Sequence, residues 1–146
     1  MELKEDAFIF DSYSVLSDKK EIDFNYKYKS LSFTEKIILL IPIPSSVNSV
    51  LLKNVLNNLH LILGITYFKM HCSKKIIIPY HLSKAQADFW NTVYTKGLGE
   101  FFYKNKFDFR NLIDFPYLDE PNINIQPRRL DEAKKNRSLV GIGGGK

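Results

Sequence analysis

Residues 21–28 read Glu-Ile-Asp-Phe-Asn-Tyr-Lys-Tyr, a strict alternation of polar residues with apolar or aromatic ones. A period of two places every second side chain on one face of an extended chain, so this pattern predicts a half-buried β-strand. Residues 8–15 alternate in a similar way, and residues 33–41 form a third candidate strand, stopped by Pro42 and Pro44. Three successive strands predict an antiparallel meander at the start of the chain.

The apolar period changes to that of a helix after Pro44. Residues 48–63 predict an amphipathic helix, Gly64 is a plausible stop for it, and residues 65–69 would follow as a loop or a short strand. One face of this helix is apolar and the other is polar, with Leu51, Val55, Leu59 and Ile62 on the first and Lys53, Asn57 and His60 on the second.

A second helix is predicted at 83–96. Residues 75–78 first form a short β-branched strand, and Ser83 with Gln86 then makes a capping box. The helix carries one broad face, made of Phe89, Trp90, Val93, Tyr94 and Gly97, and residues 100–104 resume as helix after the glycines. We therefore expect an α+β domain over residues 1–127, in which helices pack on the meander.

Composition places the chain among ordinary globular proteins. It has 146 residues, 45% hydrophobic and 25% charged, which excludes a disordered tail, a collagen-like repeat and a disulfide scaffold. Cys72 is the single cysteine, so no internal disulfide can form and no CxxC metal motif exists. The lack of disulfides favours a reducing, cytoplasmic setting. No apolar run approaches the roughly 20 residues of a membrane span. The net charge of +5 is compatible with an anionic partner and equally with ordinary solubility.

The end of the sequence is rich in glycine. Residues 138–142 could be a strand entering Gly143, Gly144, Gly145 and Lys146, after a basic linker that begins at residue 128. Consecutive glycines allow backbone N–H groups to approach a phosphate, normally at the start of a helix. The spacing excludes a Walker A loop and the dinucleotide fingerprint. A flexible tail is the alternative.

Three segments, taken together, are similar to one enzyme family. Residues 64–69, Gly-Ile-Thr-Tyr-Phe-Lys, resemble the Gly-(Val/Ile)-(Ser/Thr)-Tyr-(Tyr/Phe)-Lys segment of the UDP-N-acetylmuramoyl-L-alanyl-L-glutamate epimerases, the MurL family. Residues 97–105 resemble its second hallmark, Gly-Leu-Gly-Glu-Phe-x-Tyr-x-Asn. Residues 139–146 resemble the strand entering its Gly-Gly-Gly-Lys-Asp-Ser loop, a variant of the ATP-pyrophosphatase loop, although no Asp-Ser pair follows Lys146 here.

The resemblance implies the N-terminal part of an ATP-dependent epimerase of peptidoglycan synthesis. Residues 128–146 would then be a basic linker and the start of a truncated α/β ATP-pyrophosphatase domain, with Gly143, Gly144, Gly145 and Lys146 as the ATP-binding residues. Such an enzyme inverts the terminal L-Glu of UDP-MurNAc-L-Ala-L-Glu to D-Glu by adenylating its carboxylate and moving the α-proton. ATP and Mg²⁺ are the implied cofactors, and the chain by itself is expected to be inactive.

The two hallmark segments supply the candidate site residues. Glu100 is the first candidate for proton transfer, because a desolvated carboxylate would have a raised pKa. Tyr67 and Lys69 are its rivals as catalytic residues. Tyr103, Lys104 and Asn105 are candidate substrate-binding residues. We expect both segments to face one another across a substrate pocket, and we predict no metal site within this chain.

Each candidate also has a purely structural interpretation. Glu100 could be a helix N-terminal carboxylate, residues 67–69 could be a plain edge strand, and residues 103–105 a solvated helix end. His60, on the polar helix face, would simply be exposed. Two other functions stay open: a different ATP pyrophosphatase, such as a tRNA-modifying enzyme or an amide ligase, and a single-stranded nucleic-acid-binding module that uses the basic residues 128–137. The acidic residues interleaved there make nucleic acid a poor fit.

Overall fold

Three N-terminal strands form the meander that the alternating residues predict. The computed structural model describes residues 6–119, in which β1 (Ala7–Val15), β2 (Glu21–Tyr28) and β3 (Leu31–Ile38) pair antiparallel in sequence order. The third strand begins and ends earlier than the predicted 33–41. A fourth strand, β4 (Lys75–Ile77), pairs parallel with β1, so the sheet is mixed, with the order β3-β2-β1-β4.

Helix α1 (Ser49–Phe68) crosses the sheet and is longer than predicted. The side chain of Asn48 caps its N-terminus by accepting from the backbone N–H groups of Val50 and Leu51. Gly64 does not stop the helix, because it lies buried within it and faces the sheet. Residues 65–68, predicted as a loop or a short strand, are therefore the last turn of α1, and Lys69 is its C-cap.

Helix α1 is also rotated relative to the face that its sequence pattern predicts. Its buried side includes His60 and Phe68, whereas Leu51, Val55 and Ile62 of the predicted apolar face are exposed. The sheet supplies the reason, because its aromatic rings surround His60 and a backbone carbonyl of β2 gives the imidazole a polar partner. Nε2 of His60 lies 3.1 Å from the carbonyl oxygen of Asn25.

Helices α2 (Lys84–Gly97) and α3 (Gly99–Lys104) complete the described part of the chain. The capping box of Ser83 and Gln86 is confirmed, with both of its hydrogen bonds formed. On α2 the buried residues include Trp90 and Tyr94, but Phe89, predicted on the same face, is exposed. Tyr94 packs edge to face against Phe68 of α1, with ring centroids 5.4 Å apart, and so joins the two helices.

The core lies between the sheet and these helices, and it is mainly aromatic. Its fully buried rings are Phe8, Phe10, Phe24, Tyr26, Phe68, Tyr94, Phe102 and Phe115. No helix among residues 6–119 is long and apolar enough to cross a membrane. The expected domain boundary at 127/128, the basic linker and the Gly143–Lys146 loop lie outside the described residues.

Candidate functional site

Gly64, which begins the first hallmark segment, is a packing residue. A Cβ atom built on it would lie 2.3 Å from Cε1 of Phe10 and 3.0 Å from Cε1 of Tyr26. Real Cβ atoms do not approach ring carbons so closely, so only glycine lets α1 lie this near the sheet. The backbone at this position therefore approaches the core of the domain, where a ligand has no access.

Tyr67 lies at the edge of the sheet and is held by three groups. Its ring stacks between those of Tyr26 and Phe33, with centroids 5.1 and 5.0 Å away. Its hydroxyl donates to Oε2 of Glu35 at 2.7 Å. This hydrogen bond, together with partial burial and the negative charge of Glu35, raises the pKa of Tyr67 to about 12. The phenol is therefore protonated at neutral pH and acts as a hydrogen-bond donor.

The second hallmark segment forms the end of α2 and all of α3. Leu98 and Phe102 anchor it in the core. Its polar residues face outward, where the Glu100 carboxylate pairs with Nζ of Lys104 at 2.5 Å, one helical turn away. The Glu100 side chain is 77% exposed, so within the described residues it lacks the desolvated setting that would favour a base. Tyr103 is 86% exposed, and Asn105 donates from its side chain to the backbone carbonyl oxygen of Phe101.

The structure does not join the polar groups of the two hallmark segments. Tyr67 is paired with Glu35 on β3, and Glu100 is paired with Lys104 on α3. Within residues 6–119, no hydrogen bond, ion pair or ring contact connects these two pairs. Lys69, exposed at the end of α1, has no side-chain partner in the same part of the chain. The facing arrangement of the two segments remains a prediction.

The chain that follows each hallmark segment does converge, at a basic cavity. Lys74 comes after the first segment and Lys106 directly after the second, and both line a cavity of about 420 Å³ together with Asp108, Arg110, Phe107 and Leu112. Three cations and one carboxylate give this surface a net positive charge, which suits an anionic ligand. No local sequence pattern predicts this site, although Lys104, Lys106 and Arg110 form a basic cluster near the second segment.

Arg110 and Asp108 fix each other at one side of the basic cavity. Nε and Nη2 of Arg110 donate to the two carboxylate oxygens of Asp108, both at 2.9 Å. These bonds, with the backbone N–H of Arg110 and the charges of Arg110 and Lys74, lower the pKa of Asp108 to about 2. Asp108 is therefore ionised at neutral pH and orients Arg110, while Lys74 and Lys106 supply the excess positive charge.

His60, expected to be exposed, is completely buried against the sheet. Its Nε2 lies 3.1 Å from the backbone carbonyl oxygen of Asn25, and its Nδ1 has no partner. Burial lowers the pKa of His60, so the ring is neutral at physiological pH. No group of three or more His, Cys, Asp or Glu side chains able to hold a metal occurs within residues 6–119.

Comparison with known families decides the relationship of the chain. A family model described as the MurL N-terminal domain matches residues 1–146. The chain belongs to this family. The predicted membership of the MurL family is thus confirmed over the whole chain. The continuation of residues 139–146 into an ATP-pyrophosphatase domain stays a prediction.

Individual relatives are similar over nearly the same range. The chain is 33% identical to a UDP-N-acetyl-alpha-D-muramoyl-L-alanyl-L-glutamate epimerase of Micromonospora sp., covering 97% of this chain and 32% of the relative. A protein of the same name from Salinispora tropica is 31% identical with the same coverage. A third, from Xanthomonas oryzae pv. oryzae, is 34% identical over 68% of this chain and 21% of its own length. The chain thus spans about a third of the length of the first two relatives. No solved structure matches it significantly.

The two longer helices of this MurL N-terminal domain do not offer a free N-terminus to a phosphate group. Glycine-rich turns that bind phosphate lead into the free N-terminus of a helix, but α1 and α2 are capped by the side chains of Asn48 and Ser83. The glycines that would bind ATP, residues 143–145, lie outside the described residues.

Proposed function

We propose that this chain is the N-terminal domain of an ATP-dependent epimerase, which converts the terminal L-Glu of UDP-MurNAc-L-Ala-L-Glu to D-Glu for peptidoglycan synthesis. The match of the MurL N-terminal domain to residues 1–146 carries the proposal. The relatives are named as epimerases, so neither the tRNA-modifying or ligase alternative nor the nucleic-acid-binding module is favoured.

The basic cavity is suited to the charge of this substrate. A UDP-muramoyl dipeptide carries a diphosphate and carboxylates. Binding removes water from these anionic groups, so the protein must supply cationic partners that offset the cost of desolvation. Lys74, Lys106 and Arg110 supply such cations beside Phe107, whose ring offers an apolar surface. Tyr103, Lys104 and Asn105 directly precede this cavity in the sequence and are the proposed substrate-binding residues around it.

Glu100 is the proposed proton-transfer residue, with Tyr67 and Lys69 as rivals. Its carboxylate is exposed here and paired with Lys104. Substrate or the rest of the enzyme would have to cover α3 to give this carboxylate the desolvated setting that favours proton transfer. The phenol of Tyr67, protonated at neutral pH, is suited to donating a hydrogen bond and unsuited to removing a proton.

ATP is the proposed co-substrate, with Mg²⁺, and Gly143, Gly144, Gly145 and Lys146 are the proposed contacts for its phosphates. Its chemical contribution is to neutralise the glutamate carboxylate, which makes the neighbouring α-proton more acidic. Removing that proton and returning it on the opposite face inverts the centre, and positioned acid–base groups accelerate such transfers about 10²- to 10⁴-fold. The cytoplasmic location stays a prediction.

The full-length protein tests this proposal in deuterated water. It is incubated with UDP-MurNAc-L-Ala-L-Glu, ATP and Mg²⁺, and two products are followed: deuterium at the glutamate α-carbon by mass spectrometry, and AMP by chromatography. We expect both, and neither with UDP-MurNAc-L-Ala, which lacks the glutamate. A folded full-length protein that produces neither with the complete substrate would contradict the proposal.

Substitutions then separate the residue roles. Glu100→Gln is expected to abolish deuterium incorporation while AMP release survives. Asp88→Asn is the matched control, because Asp88 also forms an exposed ion pair one turn apart, with Lys84 on α2, but lies outside both hallmark segments. Full activity of Glu100→Gln would eliminate Glu100, and full activity of Tyr67→Phe and Lys69→Met would show that these residues are structural.

A further inference from the structure

Helix α1 is apolar on two opposite sides. Leu61 and Phe68 are buried in the core, whereas Leu51, Val55 and Ile62 on the other side are 51%, 47% and 43% exposed. An apolar side of a helix is normally covered, since a solvent-facing helix surface is usually polar. Residues 6–119 cover only one of the two sides.

The exposed side of α1 continues onto α2 and forms a groove. The cavity between the helices has a volume of about 460 Å³, and its apolar lining is Val55, Leu59, Ile62, Phe89 and Trp90. Its other lining residues are Asn54 and Asn58, so the groove carries no charged side chain. Phe89 is 57% exposed there, although an aromatic ring of this size is normally buried.

The chemistry of this groove excludes the charged substrate as its occupant. A nucleotide diphosphate needs cations, and these line the basic cavity instead. An uncharged groove with an exposed aromatic ring fits an apolar protein surface, whose side chains insert and displace water. A protein partner that fits this groove presents aliphatic or aromatic side chains and no charge at the point of contact.

We propose that this α1–α2 groove is the docking surface for the rest of the enzyme polypeptide. The epimerase relatives are about three times as long as this chain. The match includes 97% of this chain but only 32% of either relative. A polypeptide that continues for twice the length of this domain supplies a covalently attached partner at high effective concentration. The inference rests on the proposed function only in taking the chain as the N-terminal domain of such an enzyme.

Hydroxyl-radical footprinting of the full-length protein, without substrate, tests the proposal. Oxidation of Ile62 and Phe89 is measured by mass spectrometry relative to the same protein unfolded in urea. We expect both residues to be protected to the same degree as the core residue Phe115, and the protection to persist on dilution. Oxidation of Ile62 and Phe89 in proportion to their exposed fractions of 43% and 57% would overturn the proposal. Protection that disappears as a dimer dissociates would also overturn it, because a second copy would then cover the groove.

A charge placed in the groove provides the second measurement. Val55→Asp should raise oxidation of Ile62 at least about tenfold in the full-length protein, because an unpaired carboxylate cannot remain in an apolar contact. Leu40→Asp is the matched control, since Leu40 is 98% exposed outside the groove, and it should leave Ile62 unchanged. If Val55→Asp unfolds the core, seen as oxidation of Phe115, Phe89→Ser replaces it. Unchanged Ile62 oxidation in a folded groove variant would refute the docking surface.

Footprinting does not depend on catalysis, so the two proposals can fail separately. A protected groove in a protein without epimerase activity would leave the docking surface in place and contradict the function. An active epimerase with an unprotected groove would do the reverse.

Discussion

Gly64→Ala is expected to destabilise the domain, although alanine is normally the better helix residue. Gly64 lies within α1, and a Cβ atom there would lie 2.3 Å from Cε1 of Phe10. Phe10 cannot move away easily, because its ring is 1% exposed and packs edge to face with Phe8 and Tyr26. The methyl group must therefore push α1 away from the sheet or displace a core ring.

Two opposing effects set the size of this change. Alanine in a helix interior is favoured over glycine by about 1 kcal/mol. Overpacking a core costs about 1–3 kcal/mol, and the 2.3 Å contact at Gly64 places this site near the upper end of that range. The net loss is then about 2 kcal/mol. For a domain of this size it lowers Tm by about 6–10 °C.

Urea and thermal unfolding of the 146-residue chain measure this change. Gly97→Ala is the matched control, because a Cβ atom there meets nothing within 4 Å and the backbone has no positive φ. That substitution should stabilise the chain by about 0.4–1 kcal/mol. A Gly64→Ala variant as stable as the parent chain, or more stable, would refute the close-packing account of the first hallmark glycine.

Three further outcomes follow from single contacts. The pKa of His60 is lower in the folded chain than in the unfolded chain, so the unfolded chain binds a proton on this imidazole more readily. The stability of the fold is therefore complete above about pH 6.5 and falls as the pH drops below it. His60→Gln should reduce this dependence of stability on pH, measured as urea midpoints at several pH values. Tyr67→Phe removes the hydrogen bond to Glu35 and should cost about 1 kcal/mol in urea unfolding. In the full-length enzyme, Lys106→Ala should raise KM about tenfold with little change in kcat, because a charge-assisted contact to the substrate is lost. Steady-state kinetics measure this change, and Lys53→Ala, as control, should leave KM unchanged.

Local patterns were enough to predict most elements of the fold. Alternation at 21–28 gave β2 directly, and Ser83 with Gln86 gave the start of α2. These signals are local, because a strand face repeats every two residues and a cap needs partners only three residues apart. The parallel pairing of β4 with β1 could not be predicted in this way, because it joins residues almost seventy positions apart.

The orientation of α1 was wrong for a different reason. Its sequence is apolar on two sides, and periodicity identifies an apolar face without showing which partner covers it. The buried His60 and the helical Gly64 both follow from the aromatic sheet beneath, which no local pattern describes. The basic cavity was missed on the same ground, since Lys74 and Lys106 meet only through the fold. Glu100, Tyr103, Lys104 and Asn105 were found through the family resemblance, and their roles stay predictions.

The most direct measurement of the central claim is the chirality of the glutamate. Full-length protein is incubated with UDP-MurNAc-L-Ala-L-Glu in the presence and absence of ATP, the dipeptide is hydrolysed, and the glutamate is separated on a chiral column. The account predicts D-Glu only when ATP is present, with a parallel release of AMP. L-Glu that remains unchanged under both conditions, in a protein shown to be folded, would contradict it.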